Sequence, residues 1–203
     1  MAKQRSHLAG LFVVALLFTG VQDMARAGSI DEAPGEFIEQ LADTAVAALT
    51  VDDITRVERV RRFRKLLNDH FDVKTIGRFV LGRYWRKASK DERAEFLSLF
   101  EDLIVDTYVD RFAKYSGEDL SVTKTESTRD DDSIVYSSIN RPSGGPPIGV
   151  AWRLRLRNGS YLIIDVMVEG VSMGQTQRSE FASVIRRNGG EVKGLLAKLR
   201  DRN

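Results

Sequence analysis

The chain has 203 residues, of which 42% are hydrophobic and 30% are charged, and it contains no cysteine. This composition is typical of a globular protein rather than a disordered or fibrous one. Without cysteine, the chain has neither disulfide bonds nor a thiol for catalysis or lipid attachment.

The first 27 residues have the layout of a secretory signal peptide. A basic head precedes an almost wholly apolar run from Leu8 to Val21, and Ala25-Arg26-Ala27 has the A-x-A form of a cleavage site. The run is short for a membrane span of about 20 residues, so cleavage is favoured over an anchor. We therefore predict a signal peptide over residues 1–27, a single mature domain over residues 28–203, and a periplasmic location.

Removal of this segment balances the charge of the chain. The full chain has 31 basic and 29 acidic residues, and residues 1–27 carry three basic and one acidic residue, which leaves 28 of each. A mature chain without net charge has no electrostatic support for binding nucleic acid. We therefore expect no nucleic-acid partner.

Two helices are predicted at the start of the mature chain. Pro34 suits the first turn of the first helix, and Asp52 or Asp53 can cap the second helix. Basic residues fill positions 56–65 of the second helix around its apolar stripe. We interpret this run as a solvated helix face, with a patch for anionic headgroups or an acidic partner as the alternative.

Two more helices follow. Asp72 is expected to cap a short helix through Leu81, which Gly82 ends. The capping box Ser89–Glu92 then opens the longest helix, predicted to run to about Tyr115. Its apolar stripe rotates by more than a quarter turn between its two halves, so this helix either contacts two surfaces, roofs a hollow or is an ordinary core helix.

From residue 120 onward the hydrophobic period changes to that of strands. The predicted strands span residues 120–125, 133–140, 148–157 and 161–168. Residues 129–132 are interpreted as a turn, and Asn158-Gly159 is a strong hairpin signal. Glu169-Gly170 is expected to end the sheet, and two helices follow within 175–187 and 191–200. This order predicts an α+β fold, with a four-stranded antiparallel sheet packed against a helical layer.

The last predicted strand is apolar on both faces and is interrupted only by Asp165. Strict alternation assigns Leu162, Ile164, Val166 and Val168 to one face and Tyr161, Ile163 and Met167 to the other. Such a strand needs cover on both faces. Either ordinary protein core supplies it, or a cavity between sheet and helices holds an apolar ligand.

The sequence contains no catalytic constellation above background. The predicted mature chain has one histidine, His70, and it lacks a G-x-S-x-G motif and a phosphate-binding glycine loop. Asp130–Asp132 lacks the spacing of a calcium loop and is interpreted as a solvated turn. Asp165 needs an arginine or backbone N–H partner, or an altered pKa. We expect no enzymatic activity and no metal, and a lipid-ester hydrolase using Asp165 is the contrary hypothesis.

Three segments resemble a known family. They are Phe71–Arg86 (FDVKTIGRFVLGRYWR), Ser89–Phe96 with Tyr115-Ser-Gly117, and Asp165–Ser172 continued by Gln177–Phe181. Together they resemble the MlaC / toluene-tolerance family of periplasmic phospholipid-binding proteins. The sequences of Gln175–Phe181 and Arg187–Gly190 are similar to those of the hopanoid-associated branch of that family.

The resemblance implies a helical layer on a twisted antiparallel sheet, with lipid acyl chains between them. It implies a soluble lipid carrier with no cofactor other than its bound phospholipid or hopanoid-type lipid. Its partners would be membrane lipid, an inner-membrane ABC transporter complex and an outer-membrane lipoprotein–porin complex. An adaptor that binds only protein partners is the alternative.

The lipid-binding residues are assigned by pattern within this resemblance. Ten side chains are placed near the acyl chains: Val80, Phe96, Phe100, Leu103, Trp152, Leu154, Ile164, Val166, Val168 and Met173. Arg78, Arg83 and Arg178 are the candidates for the lipid phosphate, with structural ion pairs to Asp165 or Glu169 as the alternative.

Overall fold

The computed structural model describes residues 33–129 and 131–202, so the predicted signal peptide lies outside the described residues. Within these ranges five helices precede five strands, and two helices follow. The elements are α1 (Pro34–Leu49), α2 (Arg56–His70), α3 (Val73–Leu81), α4 (Tyr84–Lys87), α5 (Lys90–Phe112), β1 (Asp119–Arg129), β2 (Asp132–Asn140), β3 (Ile148–Arg157), β4 (Ser160–Val168), β5 (Val171–Ser172), α6 (Met173–Arg187) and α7 (Val192–Arg200).

The helix caps form at the residues predicted from the sequence, with one exception. Asp72 caps α3 by accepting the Thr75 N–H at 2.9 Å, and the capping box at the start of α5 forms as predicted. The cap of α2 is Thr55 rather than Asp52 or Asp53. Asp53 instead occupies the preceding turn with a φ of 58°, a backbone conformation that Asp tolerates better than most residues.

The sheet is an antiparallel meander with the order β1-β2-β3-β4-β5. The prediction of four strands was therefore wrong by one short edge strand, β5. Glu169 and Gly170 do not end the sheet, because both have positive φ and form a tight turn between β4 and β5. The Glu169 carboxylate accepts the N–H of Gly149 and ties this turn to the start of β3.

A β-bulge in β4 changes which side chains share a face. Leu154 lies opposite Ile163, but the preceding residue of β3, Arg153, lies opposite Asp165, so Ile164 is the extra residue of the bulge. Ile163 therefore faces the same side as Val166, and the strict alternation assumed from the sequence was wrong here. Ile163 is fully buried as a result.

The chain builds three clusters of buried side chains. In the first, α1 packs Phe37 and Ile38 onto one face of the sheet, and in the second α2 meets the end of α5. The third joins α3, α5, α6 and α7 around the stacked rings of Phe96 and Phe100. The first half of α5 thus faces this third cluster and its second half faces α2, which accounts for the rotated stripe. None of the described helices is both long and apolar enough to span a membrane.

Candidate functional site

An apolar hollow lies where α1, α2 and the end of α5 meet the open end of the sheet. Its volume is about 280 Å³. The lining side chains are Ile38, Leu41, Ala42, Ala45, Val46, Leu49, Phe63, Leu66, Leu67, Phe71, Phe112, Tyr115, Glu118, Asp119, Leu120, Ile139 and Trp152. The hollow is a gap between the α1–sheet cluster and the α2–α5 cluster.

Small residues on α1 and large rings on its neighbours keep this gap open. Ala42 and Ala45 face the hollow, and each leaves space that a larger side chain would fill. On the opposite wall the rings of Phe63 and Phe112 lie 5.9 Å apart, joining α2 to the end of α5. The hollow is therefore bounded by three helices in addition to the sheet.

The sheet side of the hollow is kept apolar by a satisfied hydrogen bond. Trp152 donates its indole N–H to Ser137 Oγ at 2.9 Å, and Ser137 donates to the Val150 carbonyl at 3.1 Å. Because the polar edge of the indole is occupied, its hydrocarbon surface is free to contact a ligand. Polar side chains enter the lining only at the rim, as Glu118 and Asp119.

The chemistry of the hollow suits hydrocarbon. The volume is close to the lower end, about 300 Å³, of pockets that hold small ligands. No basic side chain lines it, so it offers an anionic group no partner. Each methylene buried there gains about 0.8 kcal/mol from the hydrophobic effect.

The ten side chains placed near lipid by pattern are divided by the fold. Trp152 lines the hollow, and Leu154 and Val166 belong to the adjacent α1–sheet cluster. Four of the others, Val80, Phe96, Phe100 and Leu103, are buried in the separate core of α3, α5, α6 and α7. The remaining three, Ile164, Val168 and Met173, are half-buried and lie outside the lining.

Sequence reasoning missed the contribution of α1 and α2 to the lining. The alanines at positions 42 and 45 within an otherwise large apolar stripe were the available signal, since small residues there leave room beside the sheet. Periodicity alone did not distinguish this stripe from one that packs fully.

The three arginines proposed for the lipid phosphate do come together, but elsewhere. Arg78, Arg83 and Arg178 line an open depression of about 450 Å³ formed by α3, α4 and α6. The depression is larger than the apolar hollow, yet it is lined by charged arginines and is more open, and the two share no lining residue. We therefore assign the apolar hollow, not the larger depression, as the candidate site for hydrocarbon.

Asp165 is fully engaged in holding the start of α6. Its oxygens accept hydrogen bonds from the Val166 N–H at 2.9 Å, the Ser172 hydroxyl at 2.6 Å and the Gly174 N–H at 3.0 Å. A Cβ at Gly174 would lie 3.0 Å from Asp165 Oδ1, so only glycine allows this approach. The partners of Asp165 are thus N–H and O–H donors rather than Arg178.

The basic run of α2 is largely neutralised by neighbouring carboxylates. Arg64 bridges Glu101 and Asp102 of α5, both at 2.7 Å. Arg61 and Arg62 both donate to Glu58 of their own helix. Hydrogen bonds from Arg61 and Arg62 lower the pKa of Glu58 to about 2. This face is therefore an ion-paired surface, not an unpaired basic patch. Across residues 33–129 and 131–202, no three histidine or carboxylate side chains cluster in a way that could hold a metal ion.

The protein thus has an α+β fold with an apolar hollow between its sheet and helices. The chain belongs to the MlaC protein family, whose sequence profile matches residues 39–201.

Two known proteins illustrate the similarity. The intermembrane phospholipid transport system binding protein MlaC of Haemophilus influenzae is 21% identical over 183 residues, covering 87% of this chain and 85% of that protein. The structure of a phospholipid-binding protein from Ralstonia solanacearum, in complex with a phospholipid, matches with a TM-score of 0.73 at 21% identity. That match covers 83% of this chain and 95% of the other, and it shows a shared fold.

Proposed function

We propose that this protein is a periplasmic lipid carrier that holds acyl chain in the hollow between α1, α2 and the sheet. The observation that carries the proposal is the apolar lining, which extends from Ala45 on α1 to Trp152 on β3. Membership of the MlaC family and the phospholipid-binding relatives support the same function.

The hollow has the size of a short hydrocarbon segment rather than of a whole lipid. Burying about eight methylenes would gain about 6 kcal/mol at 0.8 kcal/mol each, before the cost of ordering the chain. A longer or second acyl chain therefore needs α1 to move away from the sheet. The headgroup would remain outside, since the rim offers only Glu118 and Asp119.

The carrier would exchange lipid between the outer and inner membranes. We propose an inner-membrane ABC transporter complex and an outer-membrane lipoprotein–porin complex as its partners. Family membership supports this proposal, as does the name of the Haemophilus influenzae relative, which describes an intermembrane transport system. A hopanoid-type lipid is the alternative cargo, because an apolar lining without directed donors does not discriminate between hydrocarbon skeletons.

Lipid extraction from the purified protein tests this function. We expect organic extracts of the native protein to contain stoichiometric phospholipid or hopanoid-type lipid by mass spectrometry, and these two outcomes identify the cargo. Ala45→Phe places a ring in the hollow and should abolish the lipid signal with the fold retained. Ala47→Phe is the matched control, because Ala47 lies on the exposed side of the same helix.

Two results would count against the carrier. Native protein without extractable lipid would favour the adaptor that binds only proteins. Equal lipid in wild type and Ala45→Phe would show that the acyl chains lie elsewhere, and the hollow would lose its assignment.

A further inference from the structure

The depression on α3, α4 and α6 concentrates positive charge without any carboxylate in its lining. Its walls carry Arg78, Arg83, Arg86 and Arg178, and an adjoining hollow of about 240 Å³ adds Arg186. None of these five arginines forms an ion pair with another described residue, whereas four of the five arginines of α2 and all three of β3 pair with carboxylates. The depression therefore differs from those two ion-paired surfaces.

The guanidinium of Arg178 is held in place by packing alone. Its Cζ lies 5.0 Å from the ring centroid of Phe79. It also approaches the turn between α3 and α4, where a Cβ at Gly82 would lie 3.0 Å from the Arg178 Nε. Gly82 has a φ of 57°, so glycine satisfies both the backbone and this close approach. No described protein group accepts its N–H donors, and they remain free for a ligand.

The guanidinium of Arg83 is also positioned by contact with an aromatic ring. It lies 5.0 Å from the ring centroid of Tyr84 and donates one N–H to the Tyr84 hydroxyl at 3.0 Å. This hydrogen bond, with the nearby charges of Arg186 and Lys87, lowers the pKa of Tyr84. Arg83 and Arg178 both line the depression and the adjoining hollow. Two oriented guanidinium groups thus face one space.

We propose that this depression is a phosphate-binding site, separate from the acyl-chain hollow. Fixed guanidinium groups with unused N–H donors match the oxygen geometry of a phosphate and bind it through charge-assisted hydrogen bonds. Phe79, whose side chain is 41% exposed beside these arginines, adds an apolar contact next to the phosphate. The phosphate belongs either to the headgroup of an anionic membrane lipid or to a free phosphate compound.

Direct titration separates these two sources. Calorimetry with inorganic phosphate in a low-salt buffer tests the free ion, because added salt screens exposed charge. Co-sedimentation with phosphatidylcholine vesicles, with and without phosphatidylglycerol, tests the headgroup. Using the Ala45→Phe background for the vesicle arm removes uptake of lipid into the hollow. Binding in the phosphate arm alone identifies a free phosphate compound, and binding in the phosphatidylglycerol arm alone identifies a membrane headgroup.

Variants identify the groups responsible. Arg83→Gln combined with Arg178→Gln should lower the measured affinity at least about tenfold, the size expected when charge-assisted hydrogen bonds are lost. Phe79→Leu removes the ring beneath Arg178 while leaving every charge, and it should weaken binding severalfold. Arg111→Gln is the matched control, since Arg111 also lies on a ring, that of Tyr108, at 5.1 Å but on α5.

Each outcome of these experiments either supports or overturns the phosphate-binding site. Loss of binding in the double variant, with Arg111→Gln unchanged and thermal melting retained, supports the site. Failure of both phosphate and phosphatidylglycerol to bind wild type overturns it, as does equal binding by the double variant. The proposal is also overturned if polyglutamate displaces the bound ligand at a lower concentration than phosphate does, because the surface would then recognise carboxylates. Lipid extraction from the double variant should match wild type, so failure here is distinct from failure of the carrier function.

Discussion

At the scale of single residues, burial decided roles that the local sequence did not show. Asp132 belongs to an acidic run interpreted as a solvated turn, yet its side chain is only 6% exposed. It accepts two hydrogen bonds from Arg155 at 2.7 and 2.9 Å and one from Arg153 at 3.3 Å. Two of the three arginines of β3 thus converge on this carboxylate, whereas Arg157 pairs with Asp72 at 3.1 Å.

Replacement of Asp132 by asparagine should reduce the free energy of unfolding by about 2 kcal/mol at pH 7, because hydrogen bonds to charged groups contribute about 1.5–3 kcal/mol. The hydrogen bonds from Arg155 are the main cause that lowers the pKa of Asp132 below its ordinary value of 3.8. The carboxylate therefore stabilises the fold above about pH 4, and this contribution is lost as the pH falls below that value.

Urea unfolding at pH 7 and at pH 3 measures this effect. The difference between wild type and Asp132→Asn should shrink at the lower pH. Asp131→Asn, which changes an exposed neighbour, should leave stability nearly unchanged. If the difference in unfolding free energy between wild type and Asp132→Asn is the same at pH 3 as at pH 7, the charge of Asp132 is not the cause of that difference.

At the scale of elements, α1 is held at its end by side chains of α2. Arg59 donates to the Leu49 carbonyl at 3.0 Å and Arg62 donates to the Ala48 carbonyl at 2.9 Å. The last carbonyls of a helix lack partners within the helix, so these arginines act as a C-terminal cap supplied by another element. This contact fixes the end of α1 that borders the hollow.

Arg59→Met keeps the apolar stem and removes this hydrogen bond. We expect the free energy of unfolding to fall by about 1 kcal/mol, since the bond is charged but only partly buried. The comparison is Arg61→Met, which removes an exposed ion pair to Glu58 and should reduce the free energy of unfolding less, because solvent screens exposed ion pairs. If chemical denaturation shows equal losses of unfolding free energy for Arg59→Met and Arg61→Met, the cap on α1 contributes no more stability than an exposed ion pair does.

At the scale of the whole molecule, the hollow depends on how α1 lies against the sheet. The N-terminal end of α1 approaches β1 closely, and a Cβ at Gly35 would lie 3.3 Å from Thr125 Oγ1. A hollow of about 280 Å³ is small for a complete lipid, so loading requires these two elements to separate.

A disulfide between positions 35 and 125 tests this movement. The chain has no cysteine, so Gly35→Cys with Thr125→Cys forms a pair without competitors. A Cβ at position 35 would lie 3.3 Å from Thr125 Oγ1, so the side chains of the two cysteines would be in contact. We expect the oxidised protein to exchange a fluorescent phospholipid severalfold more slowly than the reduced one. The single variant Gly35→Cys serves as control, and unchanged exchange on oxidation would show that α1 does not open at this end.

The local structure and the family could both be predicted from the amino-acid sequence. Asp72 and the Ser89–Glu92 box predicted helix starts, and Asn158-Gly159 predicted the hairpin, whose turn has φ values of 51° and 79°. These signals succeed because capping bonds and turn conformations depend on neighbouring residues. The resemblance carried by Phe71–Arg86 likewise predicted the family and the α+β class.

The positions of the apolar hollow and of the arginine-lined depression could not be predicted from the sequence. The apolar hollow is the space left when α1, α2 and the sheet pack together, and no single element encodes that space. The bulge at Ile164 changed the face of β4, and the approach of α6 to Gly82 brought Arg178 beside Arg83. These features depend on contacts between residues far apart in sequence, whereas hydrophobic period and capping motifs report only the arrangement within one element.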